Sequence, residues 1–177
     1  MFRKILLGLV AIIAVILVAA AFQPAEFKVS RSTLVSAPPS PLFTEVNDLT
    51  HWKSWSPYEK LDPAMKRTFE GPAAGVGAVY AWDGNREAGA GRMTIVESKP
   101  AEKVVMRLDF IRPMEGTSDL TFTFVPDGNQ TRVTWAMTGH NGYAGKLFCL
   151  FMNMDKMVGG QFEEGLATLK ANAEKNG

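Results

Sequence analysis

A long amphipathic segment near the end of the chain constrains the fold more than any other feature. Across residues 144–174, large apolar side chains recur in steps of three and four, while charged residues fall between them. This spacing predicts one continuous helix with a single buried face, and a face so broad has to pack against an equally broad partner. The apolar positions are Leu147, Phe151, Met154, Val158, Phe162 and Leu169.

Several residues of this predicted helix do not suit a plain apolar face. Gly165 lies in the apolar stripe, and a glycine inside a helix costs about 1 kcal/mol relative to alanine. We therefore expect a neighbouring backbone to approach it closely. Asp155 and Gln161 fall in the same apolar half, where a packed core excludes a carboxylate, so we expect a polar cavity beside the helix. The pair Gly159-Gly160 is a place where the helix can kink.

The N-terminal segment predicts a membrane helix. Arg3 and Lys4 precede an uncharged run, residues 5–22, which as a helix spans roughly 27 Å, close to the ~30 Å of a bilayer core. We predict that residues 1–25 form a transmembrane anchor with its basic end in the cytoplasm. Residues 26–177 then form an extracytoplasmic domain, periplasmic in a Gram-negative cell. A secretory signal that is cleaved near residues 19–21, which are all alanine, is the alternative and gives a secreted domain.

The middle of the chain alternates between apolar and polar residues, as strands do. A first strand is predicted at Glu26–Val35 and ends before two prolines, which cannot continue a ladder of hydrogen bonds. Later segments alternate in the same way and are separated by turn residues, which indicates an antiparallel sheet with one solvated face. One helix against such a sheet is an α+β architecture. The later strands are predicted at residues 76–82, 91–96, 103–110, 120–124 and 133–137.

Two short segments follow the first strand. Ser40 and Pro41 predict a helix N-cap and a first-turn proline, opening a helix over residues 41–47. Residues 51–58 are rich in aromatic side chains, and Pro57 keeps them from forming a regular helix. This aromatic segment either lines a pocket or closes one end of the core.

Composition excludes several functions. The net charge of +1 comes from 19 basic and 18 acidic residues that are mixed along the chain, so no basic stripe suits nucleic acid. Cys149 is the only cysteine and there are two histidines, so we predict no disulfide, no metal and no cofactor. Ser54 and Ser56 lie near His51, but so short a spacing in a loop is typical of surface polarity.

The strings APPSPLF, HWKSWSPY, GAVYAWDGN, TRVTWAMTG and MDKMVGGQFEEGLATLK, in this order, resemble the START-like (SRPBCC) superfamily, and within it the polyketide cyclase/dehydrase and lipid-transport proteins. The resemblance covers about residues 26–175. It implies a helix-grip fold, in which a curved antiparallel sheet of about six to seven strands wraps around a long C-terminal helix. Two short helices would follow the first strand, near residues 41–47 and 51–55. The superfamily holds an apolar ligand between sheet and helix, but its members include carriers, receptors and enzymes, and no catalytic residue carries over.

Our leading hypothesis is a non-enzymatic module that binds a hydrophobic small molecule, a lipid, quinone-like or aromatic compound, between the sheet and the C-terminal helix. This hypothesis is supported by the many methionine and aromatic side chains on the predicted inner face. Methionine also fills irregular gaps in an ordinary core, which is the alternative explanation. The candidate ligand-binding residues are Trp55, Tyr58, Tyr80, Trp82, Met93, Met106, Phe110, Trp135, Phe151, Met154, Asp155, Val158 and Phe162.

Two other classes of function stay open. In an enzyme of the cyclase/dehydratase type, Asp155, with Tyr58 or Gln161, would perform acid–base chemistry on a bound carbonyl or ring compound. In a membrane-tethered scaffold, the sheet edge or the helix ends would bind another protein. The state of Asp155 separates these possibilities. Its carboxylate is paired at a pocket wall, has a pKa raised by desolvation, or is solvated near a helix start.

Overall fold

The computed structural model describes residues 2–175, which form four α-helices, two short 3-10 helices and one seven-stranded sheet. This is the predicted α+β helix-grip fold, with the curved sheet around a C-terminal helix. The α-helices are α1 (Phe2–Ala21), α2 (Pro39–Asn47), α3 (Tyr143–Cys149) and α4 (Met154–Lys175), and the 3-10 helices span Leu49–Ser54 and Pro57–Lys60. The strands are β1 (Glu26–Val35), β2 (Lys66–Glu70), β3 (Val79–Asp83), β4 (Ala90–Lys99), β5 (Lys103–Arg112), β6 (Gly116–Asp127) and β7 (Gln130–His140).

The sheet is antiparallel throughout, in the order β1-β7-β6-β5-β4-β3-β2. A bulge between Ile95 and Glu97 in β4 shifts the register against β5 and increases the local twist. Side chains alternate between a buried inner face and an outer face that is solvated, as the sequence pattern predicts. Helix α4 lies on the inner face and packs chiefly against β1, with smaller contacts to the Pro57–Lys60 helix, α2 and β7.

The predicted strand boundaries are correct for β1 and too short for β4 to β7. Strand β3 begins at Val79 rather than at residue 76, because Gly75 and Gly77 adopt positive φ angles of 78° and 89° that a strand does not use. Strand β2 was not predicted. Its sequence KRTFE contains one large apolar residue, Phe69, so it shows too little alternation to be recognised.

The prediction of one continuous helix over residues 144–174 is wrong. Helix α3 ends at Cys149 and α4 begins at Met154. Asn153 provides the physical reason, because its side-chain oxygen accepts the backbone N–H of Lys156 at 2.9 Å and so caps a new helix. The pair Gly159-Gly160 lies inside α4, which continues through it.

The start of α2 also differs from the prediction. The helix begins at Pro39, with Pro38 in an extended conformation at the N-cap position, so Ser40 is not the cap. Proline is favoured in the first turn because its missing N–H would have no partner there. The carbonyl of Ser40 instead accepts the hydroxyl of Thr44 at 3.1 Å. The first 3-10 helix, Leu49–Ser54, lies where the second short helix was expected.

Aromatic side chains fill the centre of the core. Trp135 stacks on Phe162 of α4 at a ring separation of 4.1 Å and on Phe122 of β6 at 4.9 Å. Trp52 of the Leu49–Ser54 helix and Trp55, which directly follows that helix, have rings that meet Trp135 edge to face. These five rings are nearly inaccessible to solvent and join α4 to the sheet. They therefore fill the part of the inner face beside β6 and β7, and the aromatic segment contributes Trp52 and Trp55 to this packing.

Gly165 is the point of closest contact between α4 and this cluster. A Cβ atom at Gly165 would lie 2.8 Å from the ring of Trp135 and 2.9 Å from Cδ of Pro57. The expectation of a close approach is confirmed, but the approaching groups are side chains rather than a backbone. Glycine at this position lets the helix lie directly on the indole ring.

Candidate ligand-binding site

The part of the inner face that β3, β4 and β5 form is covered less completely by α4 than the part beside β1. Trp82, Gly91 and Phe110 are register partners on β3, β4 and β5 and point to the inner face. The rings of Trp82 and Phe110 meet edge to face at 6.4 Å, and both remain half-buried. We call Trp82, Gly91 and Phe110 the open end. Inward-facing aromatic rings that keep solvent contact are a typical lining of an apolar binding site.

Gly91 shapes the open end by lacking a side chain. The indole of Trp82 lies flat over it, so a Cβ atom there would collide with the ring and would also come within 2.8 Å of the carbonyl oxygen of Asp109. The indole N–H of Trp82 donates to the carbonyl of Ala88 at 3.0 Å, which fixes the ring in this position. The open end is thus preformed rather than assembled from mobile side chains.

A buried polar cluster lies beside the open end. Glu59 is 9% exposed, and its carboxylate accepts the hydroxyl of Tyr80 at 2.6 Å and Nε of Arg67 at 2.7 Å. The ring of Tyr80 stacks on that of Trp82 with their centroids 6.0 Å apart. A buried carboxylate needs such partners, because an unpaired charge in a core is strongly destabilising.

Burial, assisted by the hydrogen bond to Glu59, raises the pKa of Tyr80 above its ordinary range. The phenol therefore stays protonated and acts as a donor. The hydrogen bond from Arg67 to Glu59 likewise raises the pKa of Arg67, so the guanidinium stays charged. Both oxygens of Glu59 are occupied by these partners, which suits an anchor for Tyr80 better than a base. We call Glu59, Arg67 and Tyr80 the polar cluster.

Sequence reasoning identified Tyr80 but missed Glu59 and Arg67. The three residues come from a 3-10 helix, an edge strand and its neighbour, and they meet only after folding. The available signal was weak: Glu59 follows Pro57 and Tyr58 in an aromatic segment that we expected to face the core. A charge in such a segment requires a partner, but the sequence does not specify which cation supplies it.

Trp135 brings a second polar atom into the core. Its ring is fully buried, and among residues 2–175 its Nε1 atom has no hydrogen-bond acceptor. The rings of Trp52, Trp55 and Tyr58 stand edge to face with the Trp135 ring, with their centroids 5.7–6.4 Å away. Burial also raises the pKa of the Tyr58 phenol, although part of this side chain stays accessible.

Asp155 does not line the core. It lies in the first turn of α4 with 61% of its side chain exposed, and Arg31 of β1 binds both of its oxygens at 2.9 Å. Arg31 also donates to Glu163 at 2.6 Å. The hydrogen bonds from Arg31 lower the pKa of Asp155 below its ordinary value. Of the three expectations for Asp155, a raised pKa is wrong and a position near a helix start is correct, because α4 begins at Met154 and the side chain is exposed. The carboxylate is also paired, but with Arg31 at the surface rather than in a core pocket.

The predicted site residues therefore fall into three groups. Those buried in the core are Trp55, Tyr80, Met93, Met106, Trp135 and Phe162, and those left half-buried are Tyr58, Trp82, Phe110, Met154 and Val158. Phe151 and Asp155 are exposed, so the structure does not bring them to the inner face. Phe151 is displaced because it falls in the break between α3 and α4, where the helical spacing no longer applies.

Two grooves cross the surface near these elements. The larger, of about 360 Å³, runs between β1 and α4 and includes Arg31, Glu163 and Lys170. The smaller, of about 220 Å³, lies beside the 3-10 helices and includes Glu59 and Arg67, so the polar cluster is reached from solvent on that side. No group of three or more potential metal ligands occurs within residues 2–175.

Comparison with known proteins gives a consistent picture. A family described as polyketide cyclase/dehydrase and lipid transport matches residues 26–174. Protein CV1439 from Chromobacterium violaceum is similar in structure, with a TM-score of 0.59 at 16% identity over 85% of this chain and 99% of that protein. The search of curated proteins found no match.

Two other solved structures show the range of proteins with this fold. The Aha1 dimer from Colwellia psychrerythraea has a TM-score of 0.60 at 15% identity, over 84% of this chain and 96% of its own. The di-domain ARO/CYC StfQ of the steffimycin biosynthetic pathway has a TM-score of 0.65 at 14% identity, over 86% of this chain and 52% of its own. At these identities the likeness shows the fold alone.

Proposed function

This chain belongs to the polyketide cyclase/dehydrase and lipid-transport family, and on that basis we propose that it is a membrane-anchored module that binds a hydrophobic small molecule between the sheet and α4. The ligand class is a lipid, a quinone-like or an aromatic compound. The open end is the observation that carries this proposal. Trp82 and Phe110 lie on the inner face and are only half-buried, and a hydrogen bond to Ala88 fixes the ring of Trp82.

The part of the inner face beside β6 and β7 supports the same assignment by contrast. There the rings of Trp135 and Phe162 are stacked and fully buried, so that half of the inner face serves stability. A ligand therefore contacts the half-buried side chains, Tyr58, Trp82, Phe110, Met154 and Val158, before it reaches the core. Tyr80, oriented by Glu59, supplies polarity beside this apolar surface. An apolar pocket with a few fixed polar groups is the usual form of a small-molecule site.

We assign the membrane anchor to α1. The helix spans Phe2–Ala21, is apolar throughout after Lys4, and is long enough to cross a bilayer. Its basic N-terminal end stays in the cytoplasm under the positive-inside rule, which places β1 and the rest of the domain on the other side. A signal sequence passes the same test of length and composition, and the topology experiment in the Discussion distinguishes the two.

The other two classes of function have less support. Acid–base chemistry by Asp155 is disfavoured because the carboxylate is exposed and bound by Arg31, which holds its pKa low. A general acid needs the opposite shift. A scaffold that binds protein through the sheet edge is disfavoured at β1, because Lys170 donates to the carbonyl of Leu34 and Glu174 accepts the N–H of Ser36 along this edge.

Native mass spectrometry of the full-length protein in detergent tests the binding proposal. The probes are palmitate, menadione and anthraquinone, one for each ligand class, together with any molecule that copurifies. We expect one-to-one binding of at least one of them by the wild type. Phe110→Ala should weaken that binding about tenfold, since it removes a large apolar contact worth roughly 1.4 kcal/mol or more.

Ile111→Ala is the matched control. Ile111 follows Phe110 on β5 but points to the outer face and is 56% exposed, so its loss should leave binding unchanged. Absence of any bound molecule from the wild type would overturn the proposal. Equal binding by wild type and Phe110→Ala would show that the ligand, if present, lies elsewhere.

A further inference from the structure

Helix α3 packs against the C-terminal part of the predicted anchor. The hydroxyl of Tyr143, at the start of α3, donates to the carbonyl of Leu17 in α1 at 2.7 Å. The backbone N–H of Asn141 donates to the carbonyl of Ala25 at 2.6 Å, just beyond the end of α1. These contacts hold the segment that follows β7 beside the place where the chain leaves α1.

The position of Leu17 sets the depth of this contact in a bilayer. Leu17 lies four residues before the last residue of α1, Ala21, which corresponds to about 6 Å along the helix axis. An interfacial helix buries its apolar side roughly 5–10 Å into the boundary between headgroups and acyl chains. When α1 spans the membrane, Tyr143 therefore reaches the interfacial depth, where tyrosine is enriched in membrane proteins.

The surface of the segment fits that environment. Phe148, near the end of α3, is 37% exposed, and Phe151 and Met152, in the connection to α4, are 69% and 42% exposed. The sequence between Asp127 and Asp155 contains no acidic residue. It carries Lys146 in α3, which suits the phosphate of a lipid headgroup.

We propose that residues 143–154 lie in the interface of the bilayer that α1 crosses, with Phe148, Phe151 and Met152 among the lipids. This inference rests on the proposed role of α1 as an anchor, and it commits to the bilayer surface as the partner of the segment. It explains why apolar side chains are exposed here, since contiguous exposed apolar surface is otherwise rare in soluble domains.

A spin-label experiment on the full-length protein in phosphatidylcholine/phosphatidylglycerol vesicles tests the inference. A nitroxide is attached at Phe151→Cys in a Cys149→Ser background. The rate at which this label collides with oxygen, which partitions into lipid, is compared with the rate at which it collides with a water-soluble nickel chelate. We expect the label at position 151 to favour oxygen. The label at Val125→Cys should favour the nickel chelate.

Val125 is the matched control because it is apolar and 54% exposed but lies at the other end of the sheet. Val125 pairs with Arg132 and lies seven residues along β6 from Ser118, which pairs with Gly139. Val125 and Ser118 are therefore about 23 Å apart along the strand. Met152→Cys serves as the second label site if Phe151→Cys does not fold.

Flotation of the same vesicles separates the two proposals. Protein that floats with the vesicles while the label at 151 favours the nickel chelate overturns the interfacial segment and leaves the anchor intact. Protein that fails to float overturns the anchor and the interfacial segment together. Protein that floats with an oxygen-favouring label at 151 supports both.

Discussion

Arg31 links the edge strand of the sheet to the first turns of α4. Its guanidinium binds Asp155 and Glu163 and lies over Gly159, where a Cβ atom would collide with it. One cation thus binds the carboxylates of both Asp155 and Glu163, which the spacing of residues along the predicted helix did not bring together. Asp155 was expected on the apolar half of a single helix. The separate start of α4 at Met154 instead places it in an exposed first turn.

This pairing makes stability depend on pH in a defined direction. The folded-state pKa of Asp155 lies below the ordinary value of 3.8, so the pair stabilises the protein above that pH and loses its effect as the pH falls through the lower, folded value. We expect Asp155→Asn to flatten the loss of stability between about pH 5 and pH 2, measured by urea unfolding. Asp119→Asn, on the outer face of the sheet, should keep the wild-type slope. Equal slopes for wild type and Asp155→Asn would contradict this account.

Two glycines of α4 give a matched test of packing. Gly165 lies against Trp135 and Pro57, whereas a Cβ atom at Gly160 would meet nothing within 4 Å. Gly165→Ala should cost about 1–3 kcal/mol through overpacking, partly offset by the better helix propensity of alanine. Gly160→Ala should stabilise by up to about 1 kcal/mol. Denaturant midpoints of the two variants decide the matter, and a shift in the same direction for both would mean that α4 does not rest on the indole ring.

The polar cluster shows where prediction from the sequence stops at the residue scale. Trp82 and Phe110 were found because alternation on their strands assigns them to the inner face. Glu59 and Arg67 were not found, because a buried ion pair depends on which segments meet in three dimensions. No local period in the sequence encodes a pairing of two residues that lie eight positions apart.

At the scale of elements, the strands and helices with strong periodicity were predicted and the irregular ones were not. Strands β4 to β7 carry long alternating runs, so only their ends were missed. Strand β2 has almost no apolar signal of its own and is held at the edge by pairing with β3. The break before α4 interrupts the predicted helix because the capping side chain of Asn153 competes with helix continuation, an effect that the spacing of apolar residues does not report.

The predicted anchor α1 has its own test. In cells of the source organism or a Gram-negative host, protease added to spheroplasts should digest the domain, and the intact protein should resist extraction with alkaline carbonate. Ile12→Arg, near the centre of α1, should reduce membrane retention, since a central arginine costs about 2.5–3.5 kcal/mol on insertion. A protected, soluble protein recovered from the cytosol would refute the topology, and a shortened soluble protein outside the cell would identify a cleaved signal.

At the scale of the whole molecule, the open end and the anchor share one end of the sheet. Glu26 begins β1 just after α1 and pairs with His140. The next residue, Phe27, lies in a row of paired residues that crosses the sheet to Tyr80. The residues between them in this row are Gly139, Ser118, Leu108 and Met93. Trp82 and Phe110 lie on the adjacent row towards the same end. With α1 as the proposed anchor, the proposed binding surface would lie on the membrane side of the domain, beside residues 143–154.

The short connection between α1 and β1 limits where the domain can act. Only residues 22–25 separate Ala21 from Glu26, and four extended residues reach about 14 Å at most. With α1 as the proposed anchor, so short a connection would keep the domain at the surface of that membrane. A ligand bound as proposed would then be released at the same surface, and its delivery elsewhere would require an acceptor that reaches the membrane.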